Sequence, residues 1–276
     1  MITANSPTIT LAFSCIGSNL DNLIGMLDNL TVHDHIEFLI VVQRAVDDNK
    51  YSYCDHIKII FSDTVGLSKS RNIAISHASK DYIWFLDDDV IIENQYIVQL
   101  LNEIQCNALV DFFRVKIGCI ENSGEFYKTY TKLDPVRKFH LLKFSSIEIV
   151  CRRKFVQQHQ IGFNERLGLG TPLQATEEAN FLIDAWDKGA QFKMIEQMLV
   201  KHTCIFDDRV LANNNIMLAR GAIASRFGLI GFVLLAHWSL RYVVKYKKLS
   251  YLSNLLRGYF VGYRGLNRML DRASSK

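Results

Sequence analysis

Three prolines in 276 residues are few, and none opens a Pro-rich linker. The chain also lacks low-complexity stretches, internal repeats and any C-x-x-C pair, which sets aside a tandem-repeat array and a thiol framework of closely spaced pairs. Six scattered cysteines (15, 54, 106, 119, 151 and 204) read as reduced, mostly buried thiols of a cytosolic protein. The N-terminal apolar run has no basic segment ahead of it, so no secretory signal is expected and the chain is expected to stay inside the cell. No apolar run reaches the roughly 20 residues of a spanning helix; the most apolar part of the C-terminal region is Phe227 to Leu240, and it contains His237. Acids are nearly missing from the end of the chain. From Arg220 onward there are 11 Lys and Arg against the single Asp271, so the body carries −6 and the tail +10. That asymmetry points to an anionic partner for the tail.

What is present is an ordinary globular composition, 49% hydrophobic and 22% charged, long enough for one large domain with an appendage. Thr8 to Ile16, Ile36 to Val42 and Ile57 to Phe61 are near-continuous apolar runs, the mark of strands covered on both faces. Leu20, Leu23, Ile24 and Leu27 recur at helical spacing between the first two. A Ser-rich helical segment and the strand "YIWFL" follow. Strands alternating with helices over the first 90 residues predict a Rossmann-like, mostly parallel α/β sheet flanked by helices. Beyond Glu93 the pattern predicts a helix over Asn94 to Gln105, strands near Leu109 to Val115 and Ser146 to Cys151, a glycine-containing loop around residues 160–176, a helix over Glu177 to Lys188 and a strand "FKMIEQMLVKH". The expected division is a catalytic domain over 1–215, with halves 1–105 and 106–215, and a basic amphipathic helical appendage over 216–276.

The strand "YIWFL" runs straight into Asp87, Asp88 and Asp89. Three adjacent carboxylates repel, and they are tolerated either in a solvated turn or where a hard divalent cation, Mn²⁺ or Mg²⁺, gathers them with phosphate oxygens of a ligand. In parallel α/β sheets ligands bind beyond the carboxyl ends of the strands, where these aspartates stand.

The stretch "GLSKSRNIAISHASKDYIWFLDDDV" resembles the core of the family 2 glycosyltransferases, which have the GT-A fold: a glycine (Gly66), an Arg-Asn pair (Arg71, Asn72), a helix, and a strand ending in Asp-x-Asp (Asp87, Asp89). The resemblance implies that Asp87 and Asp89 carry a metal holding a nucleotide-sugar diphosphate, that Asp88, Gly66 and Arg71 lie on the donor side, and that His202 completes the metal shell. It also implies nucleotide contacts from the end of the first strand, here Ser14, Cys15 and Ile16, and from the end of the second, where the family often has aspartates and this chain has Gln43. Asp63 is the candidate for a uracil-side contact, or else a turn residue. "GFNERLGLGTPLQATEE" resembles the acceptor-side loop: Asn164, Glu165 and Gly168 match it, and Glu177 and Glu178 match the acid pair whose second member is usually the base. At a helix N-terminus a carboxylate stays ionised, as a base must; the same position suits structural acids behind Thr176 as N-cap.

The function so implied is an inverting, metal-dependent transfer of a sugar from a nucleotide-sugar, expected to be a UDP-sugar, onto a glycan acceptor, lipid-linked in a surface-polysaccharide pathway, at the cytoplasmic face of a membrane. The tail then reads as an amphipathic helical pair on an anionic leaflet, or as helices packed on the catalytic domain. No nucleic-acid motif accompanies its charge. Two rival classes are a sugar-nucleotide nucleotidyltransferase, whose Gly-rich first loop "SCIGSNLDN" does not supply, and a non-catalytic protein keeping the fold.

Overall fold

The computed structural model describes residues 6–31, 34–44, 56–122, 124–131, 136–204 and 213–265. Apolar runs with no polar face need cover on both sides, and the chain provides it by interleaving helices with strands. β1 (Ile9–Ile16), α1 (Leu20–Leu27), β2 (Ile36–Gln43), β3 (Ile57–Ser62), α2 (Leu67–His77) and β4 (Tyr82–Asp87) follow in that order, close to the bounds the pattern predicts. After them come α3 (Asn94–Cys106), β5 (Phe112–Cys119), β6 (Ile149–Arg152), α4 (Arg153–Gln158), α5 (Glu177–Asp187) and β7 (Phe192–His202).

Among the described residues seven strands form one sheet in the order β3-β2-β1-β4-β6-β5-β7. β3, β2, β1 and β4 are parallel to their neighbours, and so are β5 and β7; β6 runs antiparallel to both β4 and β5. The sheet is therefore mixed in its second half. The expected strand at 109–115 lies further on, at Phe112–Cys119, and the one at 146–151 begins as a 3₁₀ turn (Ser146–Glu148) before β6.

Parallel pairing sets the positions that matter. Ser14 of β1 aligns with Asp87 of β4, and Ile16 aligns with Gln43 of β2, so the carboxyl ends of three strands share one edge. Past β4 the chain pairs back on β7: Ile91 N–H donates to the Lys201 carbonyl at 2.9 Å and Lys201 N–H to the Ile91 carbonyl at 3.0 Å. That bridge holds the segment after the aspartates against the end of β7.

The core beneath this edge includes Trp84, whose indole N–H donates to the Ile147 carbonyl at 2.9 Å. Phe163 and Phe181 stack with ring centres 4.2 Å apart, and Phe85 meets both edge-on. A buried ion pair, Arg114 with Glu148 at 3.2 Å, takes Lys128 (2.8 Å) and the Tyr130 hydroxyl (2.6 Å) as further partners of the carboxylate. This satisfies a charge that would otherwise be costly to bury.

The chain divides into two compact units, Met1–Phe163 with Phe181–Ile205, and Asn164–Asn180 with Phe206–Lys276. The glycine-containing loop groups with the tail: Leu167 and Leu173 share a small apolar cluster with Ala219 and Ala222. The tail holds three helices rather than a pair, α6 (Asn214–Ala224), α7 (Leu229–Trp238) and α8 (Leu249–Gly265), with a π-helical turn over Ser239–Val244. Residues 266–276 of the expected appendage lie outside the described residues. Asn213 caps α6, its side chain accepting from Ile216 N–H at 2.8 Å, as Ncap residues do.

The reading of the cysteines as separate thiols is corrected for two of them. Cys119, at the end of β5, and Cys204, two residues past β7, are joined as a disulfide with Cα atoms 5.4 Å apart. Parallel register brings Cys119 opposite His202, a proximity that 85 residues of sequence separation conceal. Cys15 and Cys151 are free and buried, Cys106 is free and exposed, and Cys54 lies outside the described residues. Thiol alkylation of denatured, unreduced protein followed by peptide mapping is expected to label Cys15, Cys106 and Cys151 and to reach Cys119 and Cys204 only after reduction. Reduction should lower unfolding stability by roughly 2–4 kcal/mol, read from the urea midpoint.

Candidate active site

The edge formed by β1, β2 and β4 is organised by α2. Ser70 Oγ donates to Ser14 Oγ at 2.9 Å, both buried. Gln43, also buried, accepts the Gly66 N–H through Oε1 at 2.7 Å. Gly66 has φ of 134°, in the region that favours glycine, and it turns the chain into α2. The donor-side candidates Ser14 and Gln43 therefore hold the β3–α2 corner in place. Sequence reasoning expected Gln43 to face a nucleotide base; its carbonyl oxygen is engaged within the protein. Asp63 lies exposed in the bend after β3.

Each aspartate of the triplet has a different partner. Asp87 Oδ1 pairs with the Arg71 guanidinium at 3.3 Å, and Arg71 is only 2% exposed. Burial pushes the Asp87 carboxyl up from its ordinary value; Arg71 pulls it down and the neighbouring Asp89 charge raises it further. Asp88 Oδ2 accepts the Ile16 backbone N–H at 3.0 Å, tying the end of β1 to the end of β4. Cys15 beside it is a buried thiol, raised by burial and then by Asp88, and donates to the Ile16 carbonyl at 3.2 Å. It is no nucleophile in this setting.

Asp89 Oδ1 meets His202 Nε2 at 3.3 Å. That contact holds the Asp89 carboxyl below its ordinary value and pushes His202 up to about 9. His202 Nδ1 donates to the Thr203 carbonyl at 2.7 Å, which fixes the ring and aims Nε2 at Asp89. A backbone carbonyl behind an imidazole is the usual support of a metal-ligating histidine, and a carboxylate with an imidazole suits Mn²⁺. Asp89 and His202, with Asp87 beside them on Arg71, are the residues that could hold a divalent cation. The only three-residue group of ligand atoms gathered among the described residues is elsewhere, at Cys119, Glu121 and Cys204, where both sulfurs are in the disulfide. Tyr127 lies edge-on to the His202 ring at 5.5 Å; nothing in the sequence pattern singled it out.

Asn72, noted only as half of the Arg-Asn pair, makes a two-way clasp. Its Nδ2 donates to the Phe163 carbonyl at 2.9 Å and its Oδ1 accepts the Phe163 N–H at 2.7 Å. Arg71 lies over the Phe163 ring at 5.5 Å. Gly162 keeps this contact open, since a Cβ there would stand 3.1 Å from Asn72 Oδ1.

The acceptor-side candidates belong to the second unit. Asn164 Oδ1 accepts Arg166 N–H at 3.1 Å and closes a local turn, a common use of Asn. Glu165 is exposed. Gly168, with φ of 99°, donates to the Leu173 carbonyl at 2.8 Å and accepts from the Thr171 hydroxyl at 2.9 Å. Glu177 and Glu178 occupy the first turn of α5; Glu177 is buried and Glu178 half-buried. Thr176, just before them, has φ of 74° and its hydroxyl donates to the Ala219 carbonyl at 3.5 Å. A non-glycine residue held there is a strained position, of the kind that clusters at functional sites.

A Rossmann-like sheet whose fourth strand ends in Asp-x-Asp, continued by a mixed half, is the GT-A architecture. Residues 38–160 match the profile described as glycosyl transferase family 2. Among solved structures, that of S. aureus TarS residues 1–349 in complex with UDP-GlcNAc superposes with a TM-score of 0.67 at 14% identity, covering 93% of this chain and 81% of that one. The same protein in complex with UDP gives 0.65 at 14% identity, over 91% and 80%. No curated protein sequence matches.

The clasp yields a test. Asn72→Ala leaves two Phe163 backbone groups without their side-chain partners, and such a loss costs about 1–3 kcal/mol. A fall of that size in the urea-unfolding free energy is expected; an unchanged midpoint would show the clasp to be dispensable.

Proposed function

We propose that the chain transfers a sugar from a nucleotide-sugar, a UDP-sugar, onto a glycan acceptor, with inversion at the anomeric carbon. The observation that carries this reading is the meeting of Asp89 and His202 at the edge where β1, β2 and β4 end, in a chain whose residues 38–160 match a glycosyltransferase profile. Support for the donor class comes from relatives of the same fold, whose structures hold UDP and UDP-GlcNAc.

Asp89 and His202 would hold Mn²⁺ or Mg²⁺. Such a cation, when bound, supplies positive charge to the diphosphate as it departs. Arg71, buried against Asp87, lies on the donor side, where it aims the Asp87 carboxylate and adds positive charge toward the departing diphosphate. The Ile16 end of β1, tied to Asp88, and the Gly66 corner, tied to Gln43, bound the donor side.

Glu178 is the proposed base. An acceptor hydroxyl attacks the anomeric carbon as its proton passes to a carboxylate, and the departing group is the nucleoside diphosphate. Glu178 at the start of α5 has the helix N-terminus to keep it ionised, and it keeps access that the buried Glu177 lacks. Asn164, Glu165 and Gly168 are the acceptor-side residues of this reading. A lipid-linked acceptor of surface-polysaccharide synthesis would bring the reaction to the inner face of the plasma membrane; among the described residues no helix is long and apolar enough to cross one.

Calorimetric titration with UDP, GDP and CDP, each with Mn²⁺ and with EDTA, tests the donor side. Selective UDP binding that needs the cation and is lost in Asp89→Ala is expected; absence of binding by any nucleotide would sink the transferase reading. For the base, Glu178→Gln is expected to lower kcat by about 10²–10⁴ with UDP affinity unchanged. An equal loss in Glu177→Gln alone, with Glu178→Gln active, would move the role to its neighbour.

A further inference from the structure

The helices of the second unit are built in reverse of the pattern that suits water. Where α6 and α8 meet, the residues are small: a Cβ on Gly221 would run into the Leu255 carbonyl, one on Gly258 into the Leu218 carbonyl, and one on Gly262 into that of Ala222. Gly231 of α7 approaches the Ala224 carbonyl in the same manner. Met217, Leu235, Tyr251, Leu255 and Tyr259 fill the space between the helices, and a second set of large apolar side chains is turned outward. On α8, Leu249, Leu252, Leu256 and Phe260 recur at intervals of three and four and are all exposed, Leu249 to 78%. On α7, Gly231 and Leu235 face inward, while Leu229 (85% exposed), Ile230, Phe232 and Val233 (67%) face out. α7 is apolar all round, and a helix of that kind requires cover on every side.

Charge tells what the cover is. Residues 213–265 contain no Asp or Glu. Arg241, Lys245, Lys247 and Lys248 lie between the two outward-facing apolar faces in sequence and are exposed, as is Arg257. Their aromatic neighbours are amphipathic tyrosines: Arg241 lies over the Tyr242 ring at 5.6 Å, Lys245 over Tyr246 at 5.5 Å and Lys248 over Tyr251 at 5.5 Å. Outward leucines and phenylalanines beside cations and tyrosines match a lipid interface, where apolar chains enter the acyl boundary and cations meet lipid phosphates. Close helix contact through small residues is likewise the packing used where lipid, not water, surrounds the pair. A second copy of this chain would bring the same uncompensated positive charge and be repelled.

We propose that the outward faces of α7 and α8 dock in the plane of an anionic bilayer, Leu229, Phe232, Val233, Leu252 and Leu256 entering the acyl boundary and Arg241, Lys245, Lys247 and Lys248 binding lipid phosphates. The attachment proposed is peripheral: among the described residues no helix is long and apolar enough to cross a membrane. It needs no glycan acceptor and no donor, so it stands or falls apart from the transfer reaction.

The test is co-sedimentation of the full chain with vesicles of pure phosphatidylcholine and with vesicles half phosphatidylglycerol. Binding is expected to the second and to be weak to the first, and to fall with added salt. Lys245→Gln, Lys247→Gln and Lys248→Gln together should weaken it by about five-fold per residue removed. Phe232→Ser with Val233→Ser should abolish it, while circular dichroism and UDP titration confirm that the variant is folded. A full chain that stays in the supernatant with anionic vesicles overturns the proposal. Binding that is unchanged in Phe232→Ser/Val233→Ser does so too. A dimer by light scattering that leaves vesicles untouched would assign the face to a second copy instead.

Discussion

The pairing of Arg71 with Asp87 is the constraint around which the first unit is arranged. A guanidinium that is 2% exposed cannot be left without a counter-charge, and removing one member of such a pair typically costs about 3–5 kcal/mol. Asp87 has to be at the end of β4 to meet it, and α2 has to lie across that end. Other ties of α2 serve the same placement: Ser70 to Ser14, Gln43 to the Gly66 corner, Asn72 to Phe163. The aromatic cluster of Phe85, Phe163 and Phe181 then fills the space under the guanidinium. Charge, helix position and core packing are one arrangement.

The other two aspartates show how three adjacent carboxylates can coexist. Each is compensated by a different kind of partner: a buried guanidinium for Asp87, a backbone N–H for Asp88, an imidazole for Asp89. The repulsion between Asp87 and Asp89 is therefore not removed but distributed, and it persists as the upward push on the Asp87 carboxyl. The imidazole of His202 is pushed up chiefly by its hydrogen bond to Asp89, with the Thr203 carbonyl and the charges of Asp89 and Asp87 adding to it.

The strands of the first half were legible because each is buried on both faces and so carries a continuous apolar run; β1, β2 and β4 follow it almost residue for residue. Asp89 and His202 were singled out from the motif and from the strand end "MLVKH", and the structure brings these two side chains into contact. Other features were set by contacts between distant residues, which spacing does not encode. The antiparallel β6 is a four-residue strand whose direction depends on what its neighbours are. The Asn72–Phe163 clasp spans 91 residues, and the Cys119–Cys204 bridge follows from the β5–β7 register. The bond from Gly66 N–H to the Gln43 side chain was not legible either, because it joins a strand end to a turn 23 residues further on.

The tail raises the question of how so many cations are kept together without acids. In a water-soluble helix pair, carboxylates at neighbouring positions would offset them. Here the aromatic rings do so: Arg220 lies over Tyr242 at 4.3 Å, and Arg241, Lys245 and Lys248 each lie near a tyrosine face. A ring attracts a cation through its quadrupole but does not neutralise it. Local repulsion is eased while the net charge survives at longer range. Carboxylates would have served stability equally well and cancelled the field. A tail that stabilises its cations and still keeps their summed charge is adapted to be attracted by something negative, and that follows whether or not the first unit turns over a sugar.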